Sequence, residues 1–269
     1  MQTGLRSLSV RIQLENASVP RCYVYPVSCA AFMDMHASCE VTVMETLDKA
    51  RITHLFKIGI LASLLALSAD MILGWGVADE SLTGLDQYFS RYLTVSDVRI
   101  VLSSVLGMIG ITVECLCYFG IYRLIASRSG KRAHAYRAGL IGMVAFGPFT
   151  HVVCCASVYH LNALNRLDPS KAAAGTVSFV LSFLLPVMAF FLPFFLTTAV
   201  VQFIAFIKDE TPYPKWCCVF SILSGLPAVI LIKLIGNYPA VYALSTGWIS
   251  IGSLITFAGL LASLKNAEM

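Results

Sequence analysis

Three ionisable side chains lie within long apolar stretches of the sequence, where charged groups are rare. Asp70, Glu114 and His151 each occur inside a different stretch. A charge at the centre of a membrane helix costs about 2.5–3.5 kcal/mol on insertion scales, so those that persist usually face other helices, pair, or line a pathway. Carboxyl and imidazole groups exchange protons readily in acid–base chemistry. The three residues are therefore candidates for a ligand site or a proton pathway.

Small residues recur on the same helical face as each of these groups. The three stripes are Ala62, Ala66, Asp70 and Gly74; Ser103, Gly107, Gly110, Glu114 and Tyr118; and Gly147, His151, Cys155 and Tyr159. Residues three or four apart share a helix face, and small residues let membrane helices approach closely. The spacing predicts that the acids and the histidine face protein rather than lipid.

Three further polar residues complete the candidate pathway. Tyr118 lies one turn after Glu114 and is a possible hydrogen-bond partner for it. Lys233, in the fifth apolar stretch, either pairs with Asp70 or extends to the nearby interface. His160 follows near the external end of the third stretch, where an interfacial position is the alternative. A purely structural role remains open for every residue of the set.

The depths of these residues suggest a common cavity. At ~1.5 Å per residue, Asp70, His151 and Glu114 lie about 20–22 Å along their helices. With alternating helix directions, Asp70, Lys233 and His160 are expected at one level, with His151 just beneath and Glu114 deeper. The sequence thus predicts a polar cavity that opens to the external face.

The composition indicates that these groups lie in a membrane protein. Hydrophobic residues make up 58% of the 269 residues and charged residues 13%, against about 25% charged in soluble proteins. The mean hydropathy is +0.78. A soluble fold is excluded, and the predicted partner is the lipid bilayer. No nucleic-acid partner is predicted, and the formal net charge is only +4.

Six windows are long enough to cross ~30 Å of hydrocarbon. They are approximately Leu55–Trp75, Ile100–Tyr122, Ala138–Leu161, Thr176–Ile207, Trp216–Ile235 and Val241–Leu264. The predicted fold is an all-α, polytopic membrane bundle of six transmembrane helices. Pro186 and Pro193 predict a kink or tilt in the fourth helix, and Pro227 a bend in the fifth.

Connections that contain many basic residues alternate along the chain with connections that contain few. One side of the membrane carries Lys49, Arg51, Lys57, Arg123, Arg128, Lys131, Arg132, Arg137, Lys208 and Lys215. The positive-inside rule places this side, and both termini, in the cytoplasm. The run with Arg128, Lys131, Arg132 and Arg137 could also contact anionic lipid; the alternative is a purely topogenic cluster.

The N-terminal segment differs from the rest of the chain. Residues 1–43 show neither helical nor strand periodicity and read as a poorly ordered extension. A transit peptide is one interpretation. Translation from Met44 is the preferred one, which would leave residues 44–269 as the six-helix transmembrane domain.

Sequence motifs identify no cofactor and no reaction. No CxxC pair occurs among the nine cysteines, and P-loop, GxSxG and HExxH motifs are absent. Asp70, Glu114 and His151 are only weak candidates for metal binding, since histidines are scarce. Haem is not expected either, because no two helices supply facing histidines. Whether the protein is an enzyme is left open.

The first stretch carries a family resemblance. Leu67-Ser68-Ala69-Asp70-Met71-Ile72-Leu73-Gly74-Trp75 resembles the Gly/Ala-Asp-Met-Leu-Leu segment of a family of uncharacterised six-span membrane proteins. The span count and the histidine in the third span fit that resemblance, which covers roughly Met44 to the end. Ala69 stands where glycine would be expected. The resemblance implies the fold and no known activity.

Three functions are compatible with this pattern. Small-solute transport or small-ligand binding through an intramembrane polar cavity is favoured, since Asp, Glu and His are the usual members of membrane proton relays. A membrane enzyme acting on a lipid-like substrate and a non-catalytic interaction protein are the alternatives. The second half lacks acids matching Asp70 and Glu114, so no inverted repeat is visible.

Overall fold

The computed structural model describes residues 29–236 and 238–267, with side chains from residue 49 onward. The chain divides into two compact units, Met1–Val43 and Met44–Met269. Residues 29–43 of the first unit are helical. The predictions for residues 1–28 lie outside the described residues, and translation from Met44 stays a prediction.

The described residues form helices and no strand, which confirms the all-α prediction. The α-helices are α1 (Cys29–Gly74), α2 (Gly84–Leu93), α3 (Asp97–Cys117), α4 (Phe119–Ala126), α5 (Gly130–Leu167), α6 (Pro169–Phe179), α7 (Leu185–Ile207), α8 (Gly225–Lys233), α9 (Pro239–Thr246) and α10 (Trp248–Ala262). Shorter 3₁₀ turns occupy Lys215–Val219, Ile222–Ser224 and Ser263–Asn266.

Five helical segments within the described residues are long and apolar enough to cross a membrane. They are Lys49–Gly74, Asp97–Ala126, Gly130–Leu167, Pro169–Ile207 and Trp248–Asn266. Their outer faces expose large apolar side chains, such as Leu61 at 67% and Phe190 at 60%. Soluble monomers rarely expose apolar surface so extensively. The helices therefore indicate a membrane-embedded protein.

The fourth segment contains the irregularity that its prolines predict. A π-helical turn, Val180–Leu184, interrupts the α-helical pattern immediately before Pro186. Proline has no N–H to donate, and a π turn is one way in which the backbone absorbs the lost bond. Pro193 lies inside α7 without a second interruption.

The fifth and sixth predicted windows differ from the structure. The fifth contains two 3₁₀ turns before α8, so its apolar helix is only Ile222–Lys233. Ser221 begins the second turn, because its side chain accepts from the Leu223 N–H. The sixth is divided at Gly247 into α9 and α10. Sliding-window hydropathy does not register such local breaks.

Two of the connections outside the spans contain a short helix or a helix cap. The segment after α1 contains the helix α2, where the Arg91 guanidinium lies 4.2 Å from the centroid of the Tyr88 ring. Asp168 caps α6 by accepting from the Ser170 N–H. Hydrogen bonds from Lys171 and then Ser170 hold the pKa of Asp168 below its usual value. The cap therefore stays ionised into mildly acidic conditions.

Close helix contacts bring the polar stripes together. A Cβ at Gly110 would lie 2.8 Å from the Ala66 nitrogen, so the backbones of α1 and α3 touch at this level. Buried aromatic rings fill the adjoining layer, where Tyr118 and Phe257 lie 4.7 Å apart between centroids. Glycine and alanine thus set the helix spacing around the polar groups.

Candidate functional site

A cavity of about 130 Å³ lies among the transmembrane helices. Asp70 on α1, Glu114 on α3 and His151 on α5 all line it. The rest of its wall is Ile111, Cys115, Met143, Gly147, Thr150, Cys154, Phe191, Thr246, Ile249 and Ser250. The structure therefore brings together the three residues that the sequence singled out, each from a different helix.

Asp70 is held by three groups on other helices. Its Oδ1 lies 3.3 Å from Nδ1 of His151, and its Oδ2 accepts from the Ser250 hydroxyl at 2.9 Å. Its backbone carbonyl accepts from the Thr246 hydroxyl at 3.1 Å. Both oxygens of the carboxyl group and the adjacent main chain are thus fixed by α5, α9 and α10.

The break at Gly247 makes the contact between α10 and α1 possible. A Cβ at Gly247 would lie 3.2 Å from Oδ2 of Asp70 and 2.5 Å from Leu67. Glycine therefore allows the start of α10 to come against α1. As a result, Thr246 and Ser250, on either side of the break, both reach Asp70.

The other nitrogen of His151 faces α3. Nε2 lies 3.1 Å from the Ser103 carbonyl oxygen, 3.4 Å from the Ser103 hydroxyl and 3.6 Å from Sγ of Cys155. The Ser103 hydroxyl donates to the Ala69 carbonyl at 2.8 Å. The ring is buried, with 7% of the residue exposed.

These contacts determine how many protons the pair of Asp70 and His151 carries. A carbonyl oxygen only accepts, so Nε2 must bear the hydrogen that faces Ser103. With Nε2 protonated, one further proton must lie between Nδ1 and Oδ1, because two lone pairs would otherwise face each other at 3.3 Å. Wherever that proton resides, the pair has no net charge.

Gly107 provides the space for the imidazole. A Cβ at this position would overlap the ring atoms Nε2, Cδ2 and Cε1 of His151. The glycine on the α3 stripe thus allows the ring to reach the Ser103 carbonyl. The predicted small-residue stripe has a specific structural role at this position.

Glu114 is the most deeply buried acid of the site, with 2% of the residue exposed. Its Oε1 accepts from the Ser253 hydroxyl at 2.7 Å, and the same hydroxyl accepts from the Tyr118 hydroxyl at 2.9 Å. Tyr118 therefore reaches Glu114 through Ser253, where the sequence suggested a direct bond.

The second oxygen of Glu114 lacks a partner. Among the described residues, none makes a hydrogen bond to Oε2, which is fully buried. The Ser63 hydroxyl approaches the same carboxyl group without hydrogen-bond geometry. An unsatisfied buried polar atom costs about 1–3 kcal/mol, and more when it is charged. Glu114 lines the cavity, and its buried Oε2 has no hydrogen-bond partner among the described residues.

Two members of the predicted pathway lie elsewhere. Lys233 is exposed at the end of α8, and the contacts of the Asp70 carboxyl group are with His151 and Ser250. His160 stacks on Phe179 at 4.9 Å between centroids and does not line the cavity. Neither residue is part of the wall of this cavity.

One end of the third predicted stripe also departs from expectation. Tyr159 is 47% exposed, whereas Cys155, one turn earlier, is buried. The four-residue stripe therefore ends at Cys155, and the buried face of α5 continues at Val158 and Leu161.

Sequence reasoning missed the contribution of the C-terminal helices. Thr246, Ser250 and Ser253 supply hydroxyls to the two acids. Ser250 and Ser253 are three residues apart and share a face of α10. The three-residue spacing of these serines within an apolar stretch is the sequence signal that could have identified them as part of the site.

The three weak candidates for metal binding do not form a cluster of metal ligands among the described residues. Within the described part of the chain, no group of three or more His, Cys, Asp or Glu side chains is arranged to hold a metal ion. Asp70 and His151 bind each other, and Glu114 bonds to Ser253 instead of joining them.

The basic run predicted to contact lipid surrounds the start of α5. Arg128, Lys131 and Arg137 are exposed, whereas Arg132 forms an ion pair with Glu210. Lipid contact at these residues stays a prediction.

The comparisons with known proteins give a family and no activity. A protein-family model described as "Family of unknown function (DUF6796)" matches residues 36–267. No curated protein and no solved structure matches the chain.

Proposed function

The chain belongs to the DUF6796 family of unknown function, and because membership supplies no activity, we propose a function from the geometry of the site. We propose that this membrane protein binds a small solute in the cavity and transports it in exchange with protons. The observation that carries the proposal is that two acids and a histidine, from three helices, line one cavity of about 130 Å³.

Structural stability alone does not account for this arrangement. Replacing buried charged groups by well-packed apolar ones is often neutral or stabilising. Here Asp70 and His151 make five hydrogen-bonding contacts between helices. One oxygen of Glu114 has no hydrogen-bond partner among the described residues. Groups that are expensive to bury and turned toward a cavity favour a functional role.

Proton exchange would take place at Glu114. The carboxyl group loses its charge by taking a proton, and regains it when a positively charged or hydrogen-bond-donating solute arrives. The titratable groups that surround it are Asp70 and His151 across the cavity, and Cys115 and Tyr118 on its own helix. Since the pair of Asp70 and His151 is neutral overall, Glu114 is the group that carries the change of charge.

Proton movement in proteoliposomes tests this function. The purified protein would be reconstituted with a pH-sensitive dye inside, and a membrane potential or gradients of sodium chloride, guanidinium chloride, urea and sodium gluconate would be imposed in turn. We expect the wild type to move protons under at least one condition. Glu114→Gln and Asp70→Asn should abolish that movement while remaining folded and inserted.

Two matched variants serve as controls. His160→Gln changes a histidine on the same helix as His151, but outside the cavity, and Asp97→Asn changes an acid that pairs with Arg166 on the exposed surface. Both should retain wild-type proton movement. Equal movement in Glu114→Gln and wild type would remove the basis of the proposal.

We further propose that both termini lie in the cytoplasm and that the basic run at the start of α5 contacts anionic lipid. The distribution of Lys and Arg among the connections supports the first. The exposure of Arg128, Lys131 and Arg137 supports the second. Six crossings, including the short helix Ile222–Lys233, would be needed to return the C-terminus to the side of the N-terminus.

A further inference from the structure

We infer that the solute bound by the cavity is a small monovalent ammonium ion, such as ammonium itself or a short alkylammonium. This inference rests on the proposed function and names its substrate class. It follows from the supply of hydrogen-bond donors in the wall, its net charge, and its size.

The hydroxyl groups of the wall have already used their hydrogens. Ser250 donates to Asp70, the single hydroxyl hydrogen of Thr246 is shared between the Ala243 and Asp70 carbonyls, and Thr150 donates to the Phe146 carbonyl. Their free lone pairs can only accept. Apart from the weakly donating thiols of its cysteines, the wall with Glu114 ionised therefore presents acceptors, and its ligand must bring the donors.

The charge of the wall points to a cation. The pair of Asp70 and His151 is neutral as a unit, and no Lys or Arg is among the residues that line the cavity. Glu114, ionised, leaves one negative charge, and its Oε2 is buried without a partner. A buried carboxylate is stable only when it is paired or hydrogen-bonded. A monovalent cation with N–H donors would both neutralise the charge of the carboxylate and donate hydrogen bonds to it.

The size and the apolar part of the wall restrict that cation. A volume of about 130 Å³ corresponds to roughly four waters at about 30 Å³ each, which suits a nitrogen with one or two short alkyl groups. Ile111, Met143, Phe191 and Ile249 offer apolar contact to the alkyl part. The Phe191 ring can also attract the charge through its π face.

Binding of methylammonium to the detergent-purified protein tests the inference. The affinity would be measured by isothermal titration calorimetry, with sodium and tetramethylammonium chlorides at equal concentration as comparisons. We expect methylammonium to bind, and sodium and tetramethylammonium not to, because neither carries an N–H donor. Glu114→Gln should weaken methylammonium binding at least about 30-fold, as expected when one partner of a buried charge pair is removed. His160→Gln should bind as the wild type does.

The comparison of cations on the wild type does not depend on any variant folding. Equal binding of tetramethylammonium and methylammonium would overturn the requirement for donors. Absence of methylammonium binding to the wild type would overturn the ammonium class. If proton movement in proteoliposomes were still lost in Glu114→Gln, the proposed function would stand with a different solute. If proton movement were unaffected by Glu114→Gln, both would fail.

Discussion

At the scale of single residues, Gly107 and His151 depend on each other. The imidazole occupies the space that a side chain on residue 107 would fill, and this position lets Nε2 reach the Ser103 carbonyl. The proton count that makes the pair of Asp70 and His151 neutral follows from that one contact. A change that moves the ring therefore changes the charge of the cavity as well as its shape.

Substitution of Gly107 by alanine should reveal this dependence. The added methyl group overlaps the ring and forces it to move, and overpacking of this kind typically costs about 1–3 kcal/mol. We expect a lower midpoint of thermal unfolding in detergent and loss of proton movement in proteoliposomes. Gly130→Ala is the matched control, because no atom lies within 4 Å of its added Cβ. An unchanged midpoint in Gly107→Ala would contradict the packing described here.

The sequence predicted part of the site at this scale. The four-residue spacing of small residues around Asp70 and Glu114 was sufficient to infer that both face protein, and both do so in the structure. The partner of Asp70 was not predictable from the expected depths alone, because Lys233 occupies an exposed position of α8. Depth follows from counting residues along a helix, whereas the rotation of one helix against another does not.

At the scale of elements, the contact between α8 and α10 depends on two glycines. A Cβ at Gly225 would overlap the Trp248 carbonyl and lie 2.8 Å from the Gly252 nitrogen. The obstructing atoms belong to the backbone of a neighbouring helix and cannot rotate away. This contact fixes the start of α10, from which Ser250 and Ser253 extend to the acids.

Gly225→Ala should separate α8 from α10. We expect a larger loss of thermal stability than in Gly107→Ala, because a side chain can adjust to a clash more easily than a backbone can. The measurement is the fraction of protein that remains monodisperse in size-exclusion chromatography after heating. Gly130→Ala again serves as the control. A Gly225→Ala protein as stable as the control would show that α8 and α10 are not in contact.

The same elements explain where the predicted windows and the structure differ. Hydropathy locates the apolar segments correctly, but it contains no information about the turn that begins at Ser221 or the break at Gly247. Both features depend on capping and on close approach to a neighbouring helix. They could not be derived from a window average over twenty residues.

At the scale of the whole molecule, apolar side chains cover the outer faces of the long helices, and charged residues concentrate in the connections. That separation is expected of a protein whose solvent is lipid in the middle and water at both ends. It also predicts which connections can be reached from each side of the membrane.

Labelling of single introduced cysteines in intact cells tests the orientation. Thr83 and Ser127 are both exposed, Thr83 before α2 and Ser127 after α4. We expect Thr83→Cys to react with a membrane-impermeant maleimide from outside, and Ser127→Cys to react only after permeabilisation. The unsubstituted protein gives the background from its native cysteines. The reverse pattern would invert the topology.

The two serines of α10 have a consequence for the linkage between the acids. Ser250 bonds to Asp70 and Ser253 to Glu114, and the two lie one helical turn apart on a single rigid rod. A slide or rotation of α10 that releases one carboxyl group must therefore release the other. A rigid displacement of α10 would therefore move the hydrogen-bond partners of both carboxyl groups together, so that a change at Glu114 also reaches the pair of Asp70 and His151.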